Sequence, residues 1–153
     1  MPKVKFGSLA ELKALVGKEV VVSDWVEVTQ ERIDRFAQAT DDFQWIHVDV
    51  ERAKRESPFG APIAHGFLTL SLLSKFLNES VDFGPSRMGV NYGGNRVRFT
   101  DPVTVGSKLR ARLVLGNLEN IPGGVQIQWN VTMEREGSEK PCLVAEWLTR
   151  RYD

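Results

Sequence analysis

A nearly continuous apolar stretch from Gly66 to Leu77 constrains the fold of this chain more than any other feature. Its large apolar residues surround a helix with few polar breaks, so the helix has to be buried on most of its sides. With roughly 12 residues it is also shorter than the 20 or so that a membrane-spanning helix needs. The sequence therefore predicts a hydrophobic helix at the centre of a globular fold, covered by the rest of the chain.

The C-terminal half of the chain has the pattern of a β-sheet. Between Val125 and Glu134 apolar and polar residues alternate, which is the two-residue period of a strand with one solvated face. Similar strands are predicted at about 87–99, 107–118 and 142–151, separated by turn sequences rich in Pro and Gly. One central helix followed by such strands predicts an α+β fold, in which an antiparallel meander wraps the helix.

Helical and strand signals alternate in the N-terminal forty residues. Ser8 and Glu11 fit a capping box, which predicts a short helix at the start of the chain. A Val-rich strand is predicted over 19–28, and Thr29 is expected to cap a second helix that ends near Thr40.

The segment 41–62 is polar and is interrupted by Pro58 and Gly60. Only a short helix around 50–55 is expected in it, with Asp49 as the candidate cap. Long connections in compact domains often carry functional residues. Since no internal repeat or low-complexity linker divides the 153 residues, a single domain over 1–153 is predicted.

Composition narrows the classes of partner. Lys and Arg number 20, as do Asp and Glu, and the pI is near 6.8. The chain therefore lacks the excess of basic residues that is typical of a nucleic-acid-binding protein, and no nucleic-acid partner is predicted. No apolar run at the N-terminus is long enough for a signal peptide or a membrane anchor. We therefore expect a soluble, cytoplasmic protein without a membrane partner.

Cysteine and histidine are scarce, with one and two residues respectively. Cys142 lies in an apolar run and is expected to be a buried, small hydrophobic residue rather than a nucleophile. Neither structural-zinc spacing nor a histidine pair at helical spacing occurs, so no metal site is predicted.

Two short blocks carry the candidate chemistry. In the first, Asp42 and His47 lie five positions apart, and in the second Ala64-His65-Gly66 begins the predicted central helix. In this order the two blocks resemble the hydratase motif of MaoC-like proteins of the (R)-specific enoyl-CoA hydratase type. The resemblance continues through Val97-Arg98-Phe99 and covers most of the chain from about residue 20 onward. It implies a single hot-dog fold.

The first block departs from the family pattern at three positions. Where many relatives have Gly-Asp-Phe-Asn-Pro-Ile-His, this chain has Asp41, Gln44 and Trp45 in place of the Gly, Asn and Pro. The acid and the base are retained. Gln44 offers the same amide hydrogen bonds as Asn but reaches one methylene further.

The resemblance implies acid–base catalysis by Asp42 and His47. Adding water to a conjugated thioester needs a base for water, an acid at C2 and donors for the thioester oxygen. His47 titrates near neutrality, and Asp42 would hold the same water, with the assignment of individual protons left open. The resemblance places the thioester carbonyl against N–H groups near Gly66, where the first turn of a helix favours negative charge.

Substrate contacts are predicted around the helix start, along the helix and on one strand. They are Ile63, Ala64, His65, Gly66, Ser74, Asn91 and Tyr92. For His65, fixing the loop through hydrogen bonds competes with proton transfer. For Ser74, a bond to a backbone carbonyl one turn back competes with contact to the acyl chain. Gly93 and Gly94 indicate either a β-bulge or a pocket wall with little side-chain volume.

Arginines on the predicted strands also have two interpretations. Either they lie on a solvated face of the sheet, or they contact the phosphates of coenzyme A. They are Arg96, Arg98, Arg110, Arg112, Arg150 and Arg151.

The predicted function is (R)-specific hydration of trans-2-enoyl-CoA, or the reverse dehydration. The alternatives are a dehydratase acting on acyl carrier protein thioesters, a hot-dog thioesterase, and a non-catalytic subunit that binds acyl thioesters. A thioesterase often has an acid on its central helix, and none lies between Gly66 and Asn78. No separate cofactor is predicted, because coenzyme A enters as part of the substrate.

A homodimer is predicted from the open edges of a single curved sheet. Hot-dog proteins join two such sheets edge to edge, and this chain contains one hot-dog unit, so the second has to come from another copy. The resemblance implies that the acyl pocket lies at the subunit interface.

Overall fold

The computed structural model describes residues 2–153. Its strands are β1 (Val4–Lys5), β2 (Glu19–Val22), β3 (Val26–Glu27), β4 (Val81–Asp82), β5 (Met88–Arg98), β6 (Lys108–Ile121), β7 (Gly124–Arg135) and β8 (Leu143–Tyr152). Its α-helices are α1 (Gln30–Thr40), α2 (Trp45–Val48), α3 (Val50–Glu56) and α4 (Gly66–Ser80), and Leu9–Leu15 forms a 3-10 helix.

The main sheet confirms the predicted α+β class. It has six antiparallel strands in the order β2-β6-β7-β8-β5, with β3 also paired to β6, and β1 and β4 form a separate parallel pair. The prediction of a simple meander is wrong for β5, which precedes β6 in the chain but pairs with β8. The two-residue period identifies strands but does not encode their neighbours, so this crossover was not visible in the sequence.

The apolar helix α4 lies in the core, as its composition predicts. Leu72, Leu73 and Phe76 are almost fully buried and belong to one cluster with sheet residues such as Leu113 and Trp129. Burial of such side chains stabilises a fold by about 1.5–3 kcal/mol each. The packing fixes α4 against the concave face of the sheet and thereby positions its first turn.

The N-terminal predictions are partly confirmed. Thr29 caps α1 as expected, its hydroxyl accepting a hydrogen bond from the Arg32 N–H at 3.1 Å. The capping box is wrong: the Ser8 side chain makes no cap bond, and the Glu11 carboxylate accepts instead from the Gly7 N–H at 3.0 Å. The segment is a 3-10 helix, in which the Glu11 N–H donates to the Ser8 carbonyl at 3.3 Å.

The strand predicted over 19–28 is interrupted. Its backbone leaves the sheet between β2 and β3, where the Ser23 hydroxyl accepts a hydrogen bond from the Ala111 N–H at 2.9 Å. That side-chain bond substitutes for a ladder bond, and the strand divides in two.

The connection 41–62 has more structure than predicted. Helix α3 begins after Asp49, whose carboxylate accepts from the Arg52 N–H at 3.1 Å, so the predicted cap is confirmed. The short helix α2 was not predicted, because one turn is too short to show a period. Among the described residues, no helix combines the length and apolarity needed to span a membrane.

Candidate active site

His47 lies on α2 and is buried, with 6% of its surface exposed. Its Nδ1 is 2.7 Å from the Ile63 carbonyl oxygen, which can only accept a hydrogen bond. The neutral ring therefore carries its proton on Nδ1 and leaves Nε2 as a proton acceptor. The Gln30 amide of α1 donates to the His47 carbonyl at 2.8 Å and ties α2 to the preceding helix. Sequence analysis missed Gln30, which is 17 positions from its partner.

The environment of His47 favours its neutral form. Burial is the largest influence and lowers the pKa of the imidazole below 6.5, and His65 acts in the same direction. The hydrogen bond to Ile63 and the carboxylate of Asp42 raise the pKa but do not outweigh burial. A base that is unprotonated at neutral pH is the form that can accept a proton from water.

Asp42 is exposed in the turn after α1, where Asp41 adopts a left-handed conformation with φ 59°. The Asp42 carboxylate accepts from the Gln44 N–H at 3.3 Å. Its oxygen lies within 4.8 Å of nitrogen atoms of His47 and His65. The structure thus brings the predicted acid and base together, close enough for one water molecule to contact both.

His65 is buried at the N-cap position of α4, with 3% of its surface exposed. Its Nε2 donates to the Asp42 carbonyl at 3.0 Å, and its ring stacks on His47 with centroids 3.9 Å apart. Nδ1 is buried and has no partner among the described residues. These contacts favour the interpretation that His65 fixes the catalytic loop, while its predicted contact with substrate remains a prediction.

The first turn of α4 presents free donors. The N–H groups of Leu68 and Thr69 bond to the His65 carbonyl, whereas no acceptor contacts the N–H of Gly66 or Phe67 among the described residues. Such groups, at the positive end of a helix, favour a developing oxyanion. Gly66 is required by close packing, because a Cβ there would lie 2.9 Å from the Phe99 ring.

One cavity of about 340 Å³ connects the base to this helix start. It is lined by His47, Ile63, Ala64 and Gly66, four of the predicted site residues. The other lining residues were not predicted as substrate contacts, and they come from the segment after β5 and from neighbouring elements: Phe59, Thr69, Phe99, Thr100, Asp101, Pro102, Val103 and Cys142. Phe99 belongs to the Val97-Arg98-Phe99 stretch that carries part of the family resemblance.

Ser74, Asn91 and Tyr92 line a neighbouring groove between α4 and the β5–β8 edge, with a volume of about 360 Å³. The Asn91 amide donates to the Ser74 hydroxyl at 3.3 Å. The register of β5 shifts between Asn91 and Gly93, which confirms the predicted bulge. The predicted contacts of these three residues with substrate remain predictions.

Asp42, His47 and His65 also form a set that could approach one metal ion. The two imidazole rings, however, stack at 23°, so their in-plane lone pairs do not converge on a common point. One nitrogen of each ring is already hydrogen-bonded to a carbonyl. This arrangement suits proton transfer better than metal coordination, which requires lone pairs directed at the ion. The expectations of no metal and no separate cofactor stay predictions.

Cys142 confirms its predicted structural role. It is buried, its thiol donates to the Met133 carbonyl at 3.5 Å, and burial raises its pKa to about 11. A thiol with this pKa is protonated at neutral pH and is a poor nucleophile. Cys142 therefore contributes apolar surface to the cavity wall.

Comparison with known proteins identifies relatives along almost the whole chain. A family model described as MaoC like domain matches residues 11–135. The 3-hydroxyacyl-thioester dehydratase Z of Mycobacterium tuberculosis is 48% identical over 146 residues, which cover 95% of this chain and 96% of the relative. Nodulation protein N of Rhizobium meliloti is 46% identical over 143 residues, covering 92% and 89%.

Solved structures agree on the fold. The monoamine oxidase regulatory protein from Archaeoglobus fulgius has a TM-score of 0.80 at 23% identity, covering 100% of this chain and 99% of that one. The (R)-hydratase PhaJ1 from Pseudomonas aeruginosa has a TM-score of 0.76 at 23% identity, covering 96% and 86%. The predicted hot-dog fold is confirmed, and the chain belongs to the family of MaoC-like dehydratase domains.

Proposed function

We propose that this protein catalyses the (R)-specific hydration of trans-2-enoyl-CoA to (R)-3-hydroxyacyl-CoA, and the reverse dehydration. One observation carries the proposal. His47, with its Nδ1 bonded to the Ile63 carbonyl, lines a cavity that also reaches Gly66 at the start of α4, and the Asp42 carboxylate lies within 4.8 Å of a His47 nitrogen. This combination supplies a base, a second proton carrier and an oxyanion site within one small volume.

The proposed mechanism follows from these positions. His47 accepts a proton from water through Nε2, and the resulting hydroxide adds to C3 of the enoyl thioester. Charge moves to the thioester oxygen, where the N–H groups of Gly66 and Phe67 stabilise it. Asp42 holds the water, receives the proton that His47 accepted and delivers it to C2, which returns both side chains to their starting forms. One water is consumed, and its hydroxyl group and proton are added across the double bond. Dehydration reverses each step.

A second candidate differs in the carrier and in the physiological direction. The 48% identical relative is named a 3-hydroxyacyl-thioester dehydratase, which favours dehydration of a thioester carried by coenzyme A or by acyl carrier protein. The same residues perform both directions by microscopic reversibility. A non-catalytic thioester-binding subunit is disfavoured, because such a protein has no need of an oriented Asp42 and His47.

We also propose that the working unit is a cytoplasmic homodimer formed through β5. This strand is an edge of the main sheet, and nearly all of its residues are exposed. Met88, Val90 and Tyr92 leave large apolar surface on that edge. Exposed apolar edges are usually paired or covered, and a second copy is the partner that closed symmetry supplies.

The proposal is tested by incubating the purified protein with crotonyl-CoA and following loss of the conjugated absorbance. Chiral analysis of the product is expected to give (R)-3-hydroxybutyryl-CoA. Parallel assays with the corresponding acyl carrier protein thioester assign the carrier. Absence of turnover on both carriers would contradict the proposal, and an (S) product would contradict its stereochemistry.

A further inference from the structure

Arg151 differs from the other strand arginines of this chain. Arg110 and Arg112 both pair with Glu134 on the solvated face of the sheet, as alternating arginines are expected to do. Arg151 has the same parity as the buried Trp147 and Thr149, so its side chain points to the inner face of β8. It is an inward-facing cation beneath the C-terminal half of α4.

The guanidinium of Arg151 lacks a counter-ion. Among the described residues, no carboxylate lies within ion-pair distance of Arg151, and no side chain or carbonyl accepts a hydrogen bond from its guanidinium. It packs over the Phe83 ring at 3.9 Å, and burial lowers its pKa because the charged form loses solvent. A half-buried cation with its donors unused is costly unless an anion is present for part of its working life.

A polar cavity opens directly onto this guanidinium. It has a volume of about 150 Å³, and its hydrogen-bonding side chains are Ser74, Asn78, Asn91, Thr149 and Arg151. They come from α4, β5 and β8, so three elements converge on the same space. This is the composition of a site for an oxyanion, because hydroxyl and amide donors supplement a planar cation.

The backbone of β5 is shaped to this arginine. Gly89 pairs with Arg151 across the two strands, and a Cβ at Gly89 would lie 2.6 Å from Nη1 of Arg151. A Cβ at this position would force the guanidinium to shift from its place in the cavity. The absence of a side chain therefore leaves room for Arg151 beside the strand.

The cavity is continuous with the groove between α4 and β5. Both share Ser74, Asn91 and Trp147 as lining residues. Along α4, Gly66, Leu70 and Ser74 recur every four residues on one face and lead from the catalytic cavity into the groove. At 1.5 Å per residue, Ser74 is about 12 Å from the helix start. A ligand that starts at the first turn of α4 and runs along the groove between α4 and β5 would reach Arg151 with its far end.

We propose that Arg151 and the polar side chains around it bind an oxyanion carried by the thioester substrate. The anion is a carboxylate at the distal end of the acyl chain or a phosphate of the carrier. Both groups have oxygens that can accept paired hydrogen bonds from a guanidinium. The identity of the substrate rests on the proposed function. The anion site itself does not, because it is defined by Arg151 and its cavity.

Binding is tested first without turnover, by titrating inorganic phosphate and hexanoate while the Trp147 indole N–H signal is followed by NMR. Arg151→Met keeps an apolar stem over Phe83 but removes the charge, and it is expected to weaken binding about 10- to 100-fold, as loss of a charge-assisted hydrogen bond does. Gly89→Ala, which keeps the arginine but displaces its guanidinium, is expected to weaken binding in the same direction. Arg112→Met, which removes an arginine from the solvated face of the sheet, is the matched control and should retain full affinity.

Kinetics then identify the source of the anion. If it is the acyl chain, Arg151→Met raises KM for an ω-carboxy enoyl-CoA and leaves the matched alkyl thioester unchanged. If it is the carrier, the variant raises KM for both coenzyme A thioesters but not for the same acyl groups on a phosphate-free pantetheine.

Two outcomes would overturn the anion site. One is the absence of a shift at Trp147 with both anions, and the other is an affinity that Gly89→Ala leaves intact, which remains measurable even if Arg151→Met does not fold. A protein that binds the anions but does not hydrate crotonyl-CoA would refute only the proposed function.

Discussion

At the level of single residues, the proposed mechanism depends on Asp42 and His47. Asp42→Asn and His47→Ala are each expected to reduce kcat by about 10²–10⁴, the usual contribution of a positioned acid or base. Asp42 is exposed, so Asp42→Asn should stay folded, whereas His47 is buried and stacked on His65, so His47→Gln serves as a second variant if His47→Ala does not fold. Steady-state kinetics with circular dichroism on the same samples would check both points. Near wild-type turnover in a folded variant would remove that residue from the mechanism.

The lowered pKa of His47 predicts how activity depends on pH. The neutral ring is the active form, so kcat/KM should fall only as the pH drops through a pKa below 6.5. In the unfolded chain the ring binds its proton more strongly, so His47 stabilises the fold above pH 6.5 and this contribution is lost on acidification. Kinetics and urea unfolding across pH, compared with His47→Gln, measure both effects. An acidic limb centred above pH 6.5 would be inconsistent with a buried neutral base.

At the scale of elements, the turn between α1 and the Asp42 loop depends on a left-handed residue. Asp41 has φ 59°, and Asp tolerates this region better than a β-branched side chain does. Asp41→Val is expected to lower the free energy of unfolding by about 1–2 kcal/mol, whereas Asp41→Gly should not destabilise the fold. Urea unfolding of the two variants measures the difference. Equal stability would mean that the loop relaxes to another conformation.

The start of α4 offers a second test of an element. Gly66→Ala places a methyl group against the Phe99 ring, and overpacking of this kind costs about 1 kcal/mol where the neighbour is partly exposed. Because the ring closes the cavity over the free N–H groups, kcat should fall as well. Phe99→Ala removes the ring that the new methyl group would meet. In a Phe99→Ala background, Gly66→Ala should therefore cost little or no stability. A purely additive double variant would exclude this contact as the cause.

At the scale of the whole molecule, the exposed edge β5 predicts a homodimer. Light scattering at low micromolar concentration should give about twice the chain mass of 17.2 kDa. Val90→Lys introduces a charge on the edge strand and should shift the population towards monomer, because unpaired charges disfavour edge pairing. Asn130→Lys, on the interior strand β7, is the matched control. A fully active monomer of wild-type protein would show that one chain completes its own site.

Local sequence patterns were enough to predict the central helix, the long strands and the chemical groups of the site. The apolar run of α4 and the two-residue period of the strands are local patterns, because burial of one face repeats with the geometry of each element. The Asp42 and His47 pair was recognisable from a five-residue spacing and from its order relative to Ala64-His65-Gly66. Cys142 was correctly predicted as buried for the same local reason.

How these groups meet became visible only in the packed structure. The stacking of His65 on His47, the bond from Gln30 to the His47 carbonyl and the crossover of β5 to β8 all join residues distant in sequence. No local period encodes such contacts, because they arise when α4 packs into the sheet and brings the loop ends together. The orientation of Arg151 likewise depends on packing. The alternation of residues along a strand does not say which face is buried, and the contact with Phe83 places Arg151 on the inner face.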